Sequence, residues 1–385
     1  MTERKKELDQ TLQWNESGSE MTALWRSESG LPPPKRLVVA DDSMKADAAY
    51  RLACEGTALL WRGDFQNARQ LLNAMARRAD KRSAKPAPMP DGFHLHRLAK
   101  SQRSRILAML LIPFDPGHVI PLRRAPDVRE ACIEAYGDSN LPYVASLREL
   151  LGIIGAHEWR RKGVEIRELS ERIHPHYGVF SPVRGEYVEL VAEAPLPEAL
   201  KSHSVAFDIG TGTGVLAALL AKRGIAHIIA TDLNERALTC ARENISRMNL
   251  QEKIEVVRED LFPEGRASLI VCNPPWVPAR PSSSLEHAVY DPESRMLKGF
   301  LEGLPSHLEE KGEGWLILSD LAEHLGLRER SKLLSMIENA GLAVLGRLDA
   351  KPRHPKVDDA GDALHEARKA EVTSLWRLGL QDRPR

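Results

Sequence analysis

Little in this sequence points toward a metal centre, a membrane or an oxidising compartment. The four cysteines, Cys54, Cys132, Cys240 and Cys272, lie far apart and form no CxxC pair or His/Cys ligand spacing. That excludes a zinc site and a disulfide framework and suits a reducing cytoplasm. Net charge is also missing: 54 basic residues offset 54 acidic ones, so the whole molecule has no polyanion-binding signature and only a local patch could supply one. Long apolar runs are absent. The best of them, Ile106 to Pro113, is far too short to span a bilayer, and the opening MTERKKELDQ is charged, unlike a secretory signal. No internal repeat is visible.

The chain has 385 residues, 42% hydrophobic and 28% charged, which is ordinary for a globular protein and long enough for two domains. Residues 1–42 are polar and contain Pro32-Pro33-Pro34; they read as a mobile tail. Residues 43–160 read as a helical region. Between Ala46 and Arg82 the apolar residues Leu52, Leu59, Leu60, Ala68, Leu71, Leu72 and Met75 recur at three and four spacing, which predicts two helices broken near Gly63-Asp64. A linker over 83–92 contains Pro86, Pro88 and Pro90, and His94 to about Ile154 again reads helical, interrupted at Pro113 to Pro126. Residues 161–200 read as a hairpin and connecting segment, with the alternating stretch Lys162 to Leu169 paired to the region His174 to Phe180.

From Ser204 the texture becomes alternating strand and helix. Apolar runs at Val205–Ile209, Ala226–Thr231, Ile254–Val257, Leu269–Cys272 and Gly314–Leu318 predict a parallel α/β sheet covered on both faces. Two late runs, Leu342–Leu348 and Val372–Leu378, lack a convincing helix between them and fit a closing antiparallel pair. The charged stretch between them, Asp349 to Lys369 with His354 and His365, reads as a mobile loop.

The first of these strands runs into Asp208-Ile209-Gly210-Thr211-Gly212-Thr213-Gly214. Glycines at alternate positions let the backbone approach a ligand at the carboxyl end of a strand. The spacing G-x-G-x-G, with Asp208 two residues ahead, differs from the dinucleotide fingerprint and favours a nucleoside without a pyrophosphate. A tight strand-to-helix turn is the plainer alternative. Asp232, ending the second strand, stands where a carboxylate accepts from both ribose hydroxyls, or else caps the next helix, for which Asn234 is better placed. Asp260, after the third strand, either accepts from an adenine amino group or is a solvated turn residue.

Asn273-Pro274-Pro275-Trp276 follows the fourth strand directly. The prolines stiffen the backbone so that the Asn273 side-chain oxygen and the Pro274 carbonyl aim at one small site. Two such acceptors hold both hydrogens of a planar NH2 and favour the positive charge that develops when its nitrogen is alkylated. Trp276 can stack on the flat group. A proline-stiffened loop with a buried Trp is the alternative.

Together DIGTGTG, Asp232, Asp260 and NPPW resemble the class I S-adenosylmethionine-dependent methyltransferases, and NPPW resembles the (D/N)PP(Y/F/W) motif of their N-methylating branch. The resemblance implies a Rossmann-like seven-stranded sheet with an antiparallel last strand over 201–381. It also implies S-adenosylmethionine held by Asp208, Gly210, Thr211, Gly212, Gly214, Asp232, Asp260 and Asn273, with Asn273, Pro274, Pro275 and Trp276 at the acceptor nitrogen and no metal. Upstream, Ser181-Pro182-Val183-Arg184-Gly185-Glu186-Tyr187-Val188-Glu189-Leu190-Val191 is similar to the P-R-P-E-T-E-x-L-V stretch of the protein-glutamine methyltransferases that modify release factors. In that comparison Arg184 and Glu186 are substrate-side candidates and Tyr290-Asp291-Pro292 resembles a Y-E-P element. Such enzymes also carry a helical amino-terminal domain and a hairpin. Trp276 where they have Tyr, and the longer amino-terminal region, depart from the pattern.

A glutamine side-chain amide is therefore the first acceptor expected. The rival is an exocyclic amine of a nucleic-acid base, adenine N6 or guanine N2, since a flat NH2 beside an aromatic ring also describes a flipped base. Arg77, Arg78, Lys81, Arg82, Lys85, Arg97, Lys100, Arg103 and Arg105 would form its phosphate-contacting stripe, unless they are solvated helix faces. A non-catalytic nucleotide-binding scaffold is a further alternative. His174, His176 and Tyr177 either line the pocket mouth or are packing residues of the hairpin.

Overall fold

The computed structural model describes residues 11–81, 87–183, 185–280, 289–353 and 362–381. They separate into two compact units, one built mainly from Met1–Ala87 and His94–Glu158, the other from Pro88–Phe93, Trp159–Pro281 and Leu285–Arg385. Among the described residues no helix is long and apolar enough to cross a membrane.

The amino-terminal unit is built on a six-stranded sheet rather than on helices alone. Its strands are β1 (Thr11–Glu16), β2 (Ser19–Arg26), β3 (Arg36–Ala40), β4 (Thr57–Trp61), β5 (Leu110–Phe114) and β6 (Tyr143–Ser146), in the spatial order β1-β2-β6-β5-β4-β3. Three of them lie in the stretch expected to be a polar tail. There Leu12, Trp14, Ala23 and Trp25 are buried on one face among mostly polar neighbours, with Leu24 partly buried on the other face, so a sparse period-two pattern hides in a polar composition. Ser17 and Gly18 both have positive φ, the two-residue turn that suits a hairpin.

The expected pair of helices over Ala46–Arg82 is likewise corrected to helix Ala46–Cys54, strand β4 and helix Phe65–Asp80. All five residues of β4 are buried, and a short apolar run covered on both faces has no periodicity to tell strand from helix. The helix Phe65–Asp80 does follow the expected stripe. Phe65, Ala68, Leu71, Leu72 and Met75 are buried, and Asp64 caps it by accepting from the Gln66 N–H. Each large apolar side chain there contributes about 1.5–3 kcal/mol. The linker expected over 83–92 is partly outside the described residues, and a helix already begins at Asp91.

In the second unit, β7 (Val164–Ile166) and β8 (Glu171–Ile173) form an antiparallel hairpin. The partner strand lies just before the expected His174 to Phe180, because Ile166, Leu169 and Ile173 all turn into one core. Seven strands follow: β9 (Val205–Ile209), β10 (His227–Asp232), β11 (Ile254–Arg258), β12 (Ala267–Cys272), β13 (Leu308–Ser319), β14 (Leu342–Ala350) and β15 (Thr373–Leu380). Their order is β11-β10-β9-β12-β13-β15-β14. The first five are parallel, and β15 runs antiparallel between β13 and β14. The doubly covered sheet with a reversed last strand is thus present, with one apolar core on each face. Between β14 and β15 a short helix, His365–Ala370, interrupts the stretch expected to be a loop, while His354 lies outside the described residues.

Candidate active site

Register brings the sequence motifs to one edge. In the parallel ladders Ile209 pairs with Thr231 and with Cys272, and Asp232 pairs with Arg258. The glycine loop, Asp232, Asp260 and Asn273–Trp276 therefore all leave the sheet at its carboxyl edge, where open α/β sheets bind ligands.

The loop depends on its glycines. Gly210, Gly212 and Gly214 have φ of 71°, 55° and 81°, a left-handed region that costs other residues about 1–2 kcal/mol. A Cβ on Gly210 would stand 2.5 Å from Met296 Cε, and one on Gly214 3.3 Å from Ala241 Cα, but one on Gly212 meets nothing within 4 Å. Gly212 is thus the glycine that faces open space. Asp208, 1% exposed, sits beneath the loop. Its Oδ2 accepts from the Thr211 hydroxyl at 2.6 Å and from the Ala217 N–H at 3.0 Å. Burial pushes its carboxyl up to about 6 against these two hydrogen bonds, with the Asp232 charge adding to the rise. Through these bonds Asp208 anchors the loop.

Asp232 is partly buried, and its carboxyl is also raised by burial. Oδ2 accepts from the Gly212 N–H at 3.1 Å and Oδ1 from the Asn234 N–H at 2.9 Å. Each oxygen has a second lone pair, so the group can still take two hydroxyl donors. Asn234 caps the helix Glu235–Arg247 through the Arg236 N–H, which leaves Asp232 without a capping duty. Asp260 is half exposed and paired with Arg295 at 2.6 Å.

At the end of β12 the indole Nε1–H of Trp276 donates to Asn273 Oδ1 at 2.8 Å. This bond fixes which way the amide oxygen points and leaves one lone pair for another donor. The Trp276 ring packs against the cores on both sheet faces. Further on, Val277 bridges Tyr290, and the Asp291 N–H donates to the Val277 carbonyl at 2.9 Å. The Asp291 carboxylate accepts from the N–H groups of Met296 and Leu297, opening the helix Arg295–His307. Since Met296 lies against Gly210, the segment after NPPW and the glycine loop meet.

Cys272, next to Asn273, is fully buried, and burial with the Asp208 and Asp291 charges holds its thiol well above the usual range. It is no nucleophile at neutral pH. Among the described residues no group of three or more His, Cys, Asp or Glu could hold a metal ion.

Upstream, Arg184 lies outside the described residues. Glu186 is buried in the first turn of the helix Glu186–Glu193. Its charge and that of Asp208 both raise the already buried Tyr187 hydroxyl further. His174, His176 and Tyr177 serve packing. His176 Nε2 is 2.9 Å from Glu243 Oε2, His174 Nδ1 is 2.6 Å from the Arg160 carbonyl, and the Arg236 guanidinium lies over the Tyr177 ring. Sequence reading missed Asn244, whose Nδ2 donates to the Thr213 carbonyl at 3.1 Å and whose Oδ1 accepts from the His174 N–H at 2.8 Å. It also missed Met296 and Asp291's capping role. No local pattern marks Asn244 or Met296, because their partners are distant in sequence.

Residues 171–329 match the family model described as Methyltransferase small domain. The chain is 33% identical over 183 residues to a release factor glutamine methyltransferase of Cereibacter sphaeroides, covering 43% of this chain and 62% of the relative. It is 32% identical over 130 residues to a tRNA1(Val) (adenine(37)-N6)-methyltransferase of Bacteroides thetaiotaomicron, covering 31% and 53%. The chain thus spans between half and two thirds of the length of these curated relatives. Among solved structures, a ribosomal protein L11 methylase from Lactobacillus delbrueckii subsp. bulgaricus aligns with a TM-score of 0.36 at 19% identity, covering 55% of this chain and 86% of that one. The resemblance to class I methyltransferases drawn from the sequence is borne out by the family match and by the sheet order.

Proposed function

We propose that this chain, with its methyltransferase small-domain match over residues 171–329, transfers a methyl group from S-adenosylmethionine to a planar NH2 nitrogen of a macromolecule. The observation that carries the reading is the Asn273–Trp276 loop, one strand from the glycine loop and at the same sheet edge. The residues fit the cofactor. Gly212 leaves open space above the loop, Asp232 has lone pairs to spare for the ribose hydroxyls, and the second oxygen of Asp260 is left for the adenine amino group. Gly210, Thr211 and Gly214 complete the cradle. S-adenosylmethionine, when bound, supplies an electrophilic methyl on its sulfonium.

The remaining work is positioning by this chain's own groups. Asn273 Oδ1, held in orientation by Trp276, and the Pro274 carbonyl accept the two N–H bonds, which turns the nitrogen lone pair out of their plane. Both acceptors strengthen as the nitrogen becomes cationic, each to about 1.5–3 kcal/mol. Pro275 stiffens the turn, and Trp276 packs beside the flat group. The proton then leaves to solvent, and no covalent enzyme intermediate is formed. In Asn273→Ala, turnover should fall about 100-fold with cofactor affinity unchanged. Full turnover in that variant refutes the mechanism.

A protein glutamine amide is the first acceptor. It is supported by the Ser181 to Val191 match and by the likeness to a release factor glutamine methyltransferase. A base amine is the second reading, and two observations favour it. The amino-terminal unit is a sheet rather than the helical domain of the glutamine enzymes. Its helices Phe65–Asp80 and Asp91–Leu107 carry Arg77, Arg78, Arg97, Lys100, Arg103 and Arg105, although Arg78 and Arg103 are paired with Asp47 and Asp80. Incubating the protein with methyl-labelled cofactor and cell extract, then digesting separately with protease and nuclease, decides. Label released only by protease supports glutamine, label released only by nuclease supports a base, and no macromolecular label sinks the proposal.

A further inference from the structure

Behind the NPPW loop lies a buried cation that the proposed reaction has not used. Arg328 is only 5% exposed. Its Nη2 donates to the Trp276 carbonyl at 3.5 Å, its backbone N–H donates to the Ala322 carbonyl at 3.2 Å, and among the described residues its Nε has no hydrogen-bond partner. Trp276, whose carbonyl it reaches, lies at the margin of an apolar cluster that includes Val277, Leu321 and Leu325. Burying a guanidinium carries a desolvation cost of several kcal/mol that its surroundings must offset.

The carboxylates that face it suggest how that offset arises. Burial pushes the Arg328 guanidinium down while Glu323 and Asp291 pull it up and Arg330 opposes them. Glu323 is already shared with Arg330 at 2.6 Å. Asp291, 5% exposed, is hydrogen-bonded to Val277 through its backbone, so it forms the returning root of the loop that Trp276 leads into. Arg328 thus touches one root of that loop and lies in the field of the other.

We propose that Arg328 is a positioning residue for the acceptor site: its guanidinium, hydrogen-bonded to the Trp276 carbonyl, fixes the backbone at Trp276 and Val277 and so the indole that orients Asn273. It acts through Trp276 and not on the acceptor. The effect on turnover rests on the N-methyltransferase reading above; the effect on the loop roots does not.

Arg328→Met and Arg328→Lys, compared with the wild type, test it. Arg328→Met removes the charge at similar volume, a melting temperature within a few degrees of wild type checks that the fold survives, and where it does not the same readouts are taken on Arg328→Lys, which keeps the charge. Hydrogen exchange read by mass spectrometry should show protection of the Val277 and Asp291 amides falling about tenfold or more. Exchange at Thr211 and Gly214, whose N–H groups donate to the Thr231 and Thr211 carbonyls, should not move. Turnover on the labelled extract should fall about tenfold or more while calorimetric cofactor affinity stays within about twofold. Arg328→Lys, which keeps the charge but loses the fork, should lie between. Unchanged exchange at both loop roots overturns the proposal, as does equal loosening of the glycine loop. If the wild type methylates nothing, the methyltransferase reading fails, and the exchange result alone judges Arg328.

Discussion

Replacing each glycine of the 210–214 loop by alanine should separate folding from ligand binding, because the three positions differ in what a methyl group would meet. At Gly214 the new Cβ faces the Ala241 backbone at 3.3 Å on a φ of 81°. Backbone of a packed helix cannot yield cheaply, so overpacking adds about 1–3 kcal/mol to the 1–2 kcal/mol of the left-handed conformation. The total, about 2–5 kcal/mol, lowers the melting temperature by roughly 5–15 °C for a unit of this size. At Gly210 the obstacle is Met296 Cε, the far end of a flexible side chain, so the cost falls between. At Gly212, with open space above a φ of 55°, only the backbone term of about 1–2 kcal/mol remains. There the methyl group intrudes where the cofactor is proposed to lie, and affinity should drop about tenfold or more. Thermal melts and titration calorimetry with S-adenosylmethionine read the two effects independently. Should Gly212→Ala keep wild-type affinity, or destabilise as much as Gly214→Ala, the placement of the ligand against Gly212 is wrong.

Asp232→Ala should weaken S-adenosylmethionine about 100-fold, the loss of two charge-assisted hydrogen bonds of about 1.5–3 kcal/mol each being partly offset by relaxation; unchanged calorimetric affinity removes Asp232 from the site. Asp208 has a pH signature. Its folded-state carboxyl is raised to about 6 from 3.8, so its favourable contribution is complete below pH 3.8 and is lost as pH rises through about 6. Relative to Asp208→Asn, the wild type should therefore lose about 3 kcal/mol of stability between pH 4 and pH 7, measured by denaturant unfolding at each pH. A difference independent of pH contradicts the buried, raised carboxyl. Trp276→Phe keeps an aromatic face but removes the N–H that orients Asn273. Turnover should fall with cofactor affinity intact, and full activity would show that stacking alone suffices.

The second unit was legible because its signals are local. DIGTGTG needs positive φ at fixed offsets, Asn273–Trp276 carries its own stiffness in two prolines, and the strands of a doubly covered parallel sheet are short continuous apolar runs. The amino-terminal unit was misread for the corresponding reason. The Thr57–Trp61 run is buried on every side and loses the periodicity that separates strand from helix, and the β1–β2 hairpin places few apolar residues among many polar ones. Hairpin register slipped too, since Ile166, Leu169 and Ile173 choose their partners by a shared core that no window along the chain contains.

The sequence by itself therefore determined the candidate residues for binding and reaction, because a glycine's permitted φ and a proline's fixed one are properties of single positions. Only the tertiary structure decided how they are held. Asp208 became an anchor beneath the loop, Trp276 a donor to Asn273, and Asn244, Asp291, Met296 and Arg328 entered the site. The contacts of Asn244, Met296 and Arg328 span tens of residues in the chain, and the register of the sheet and the packing of its two faces bring them within hydrogen-bonding or van der Waals reach.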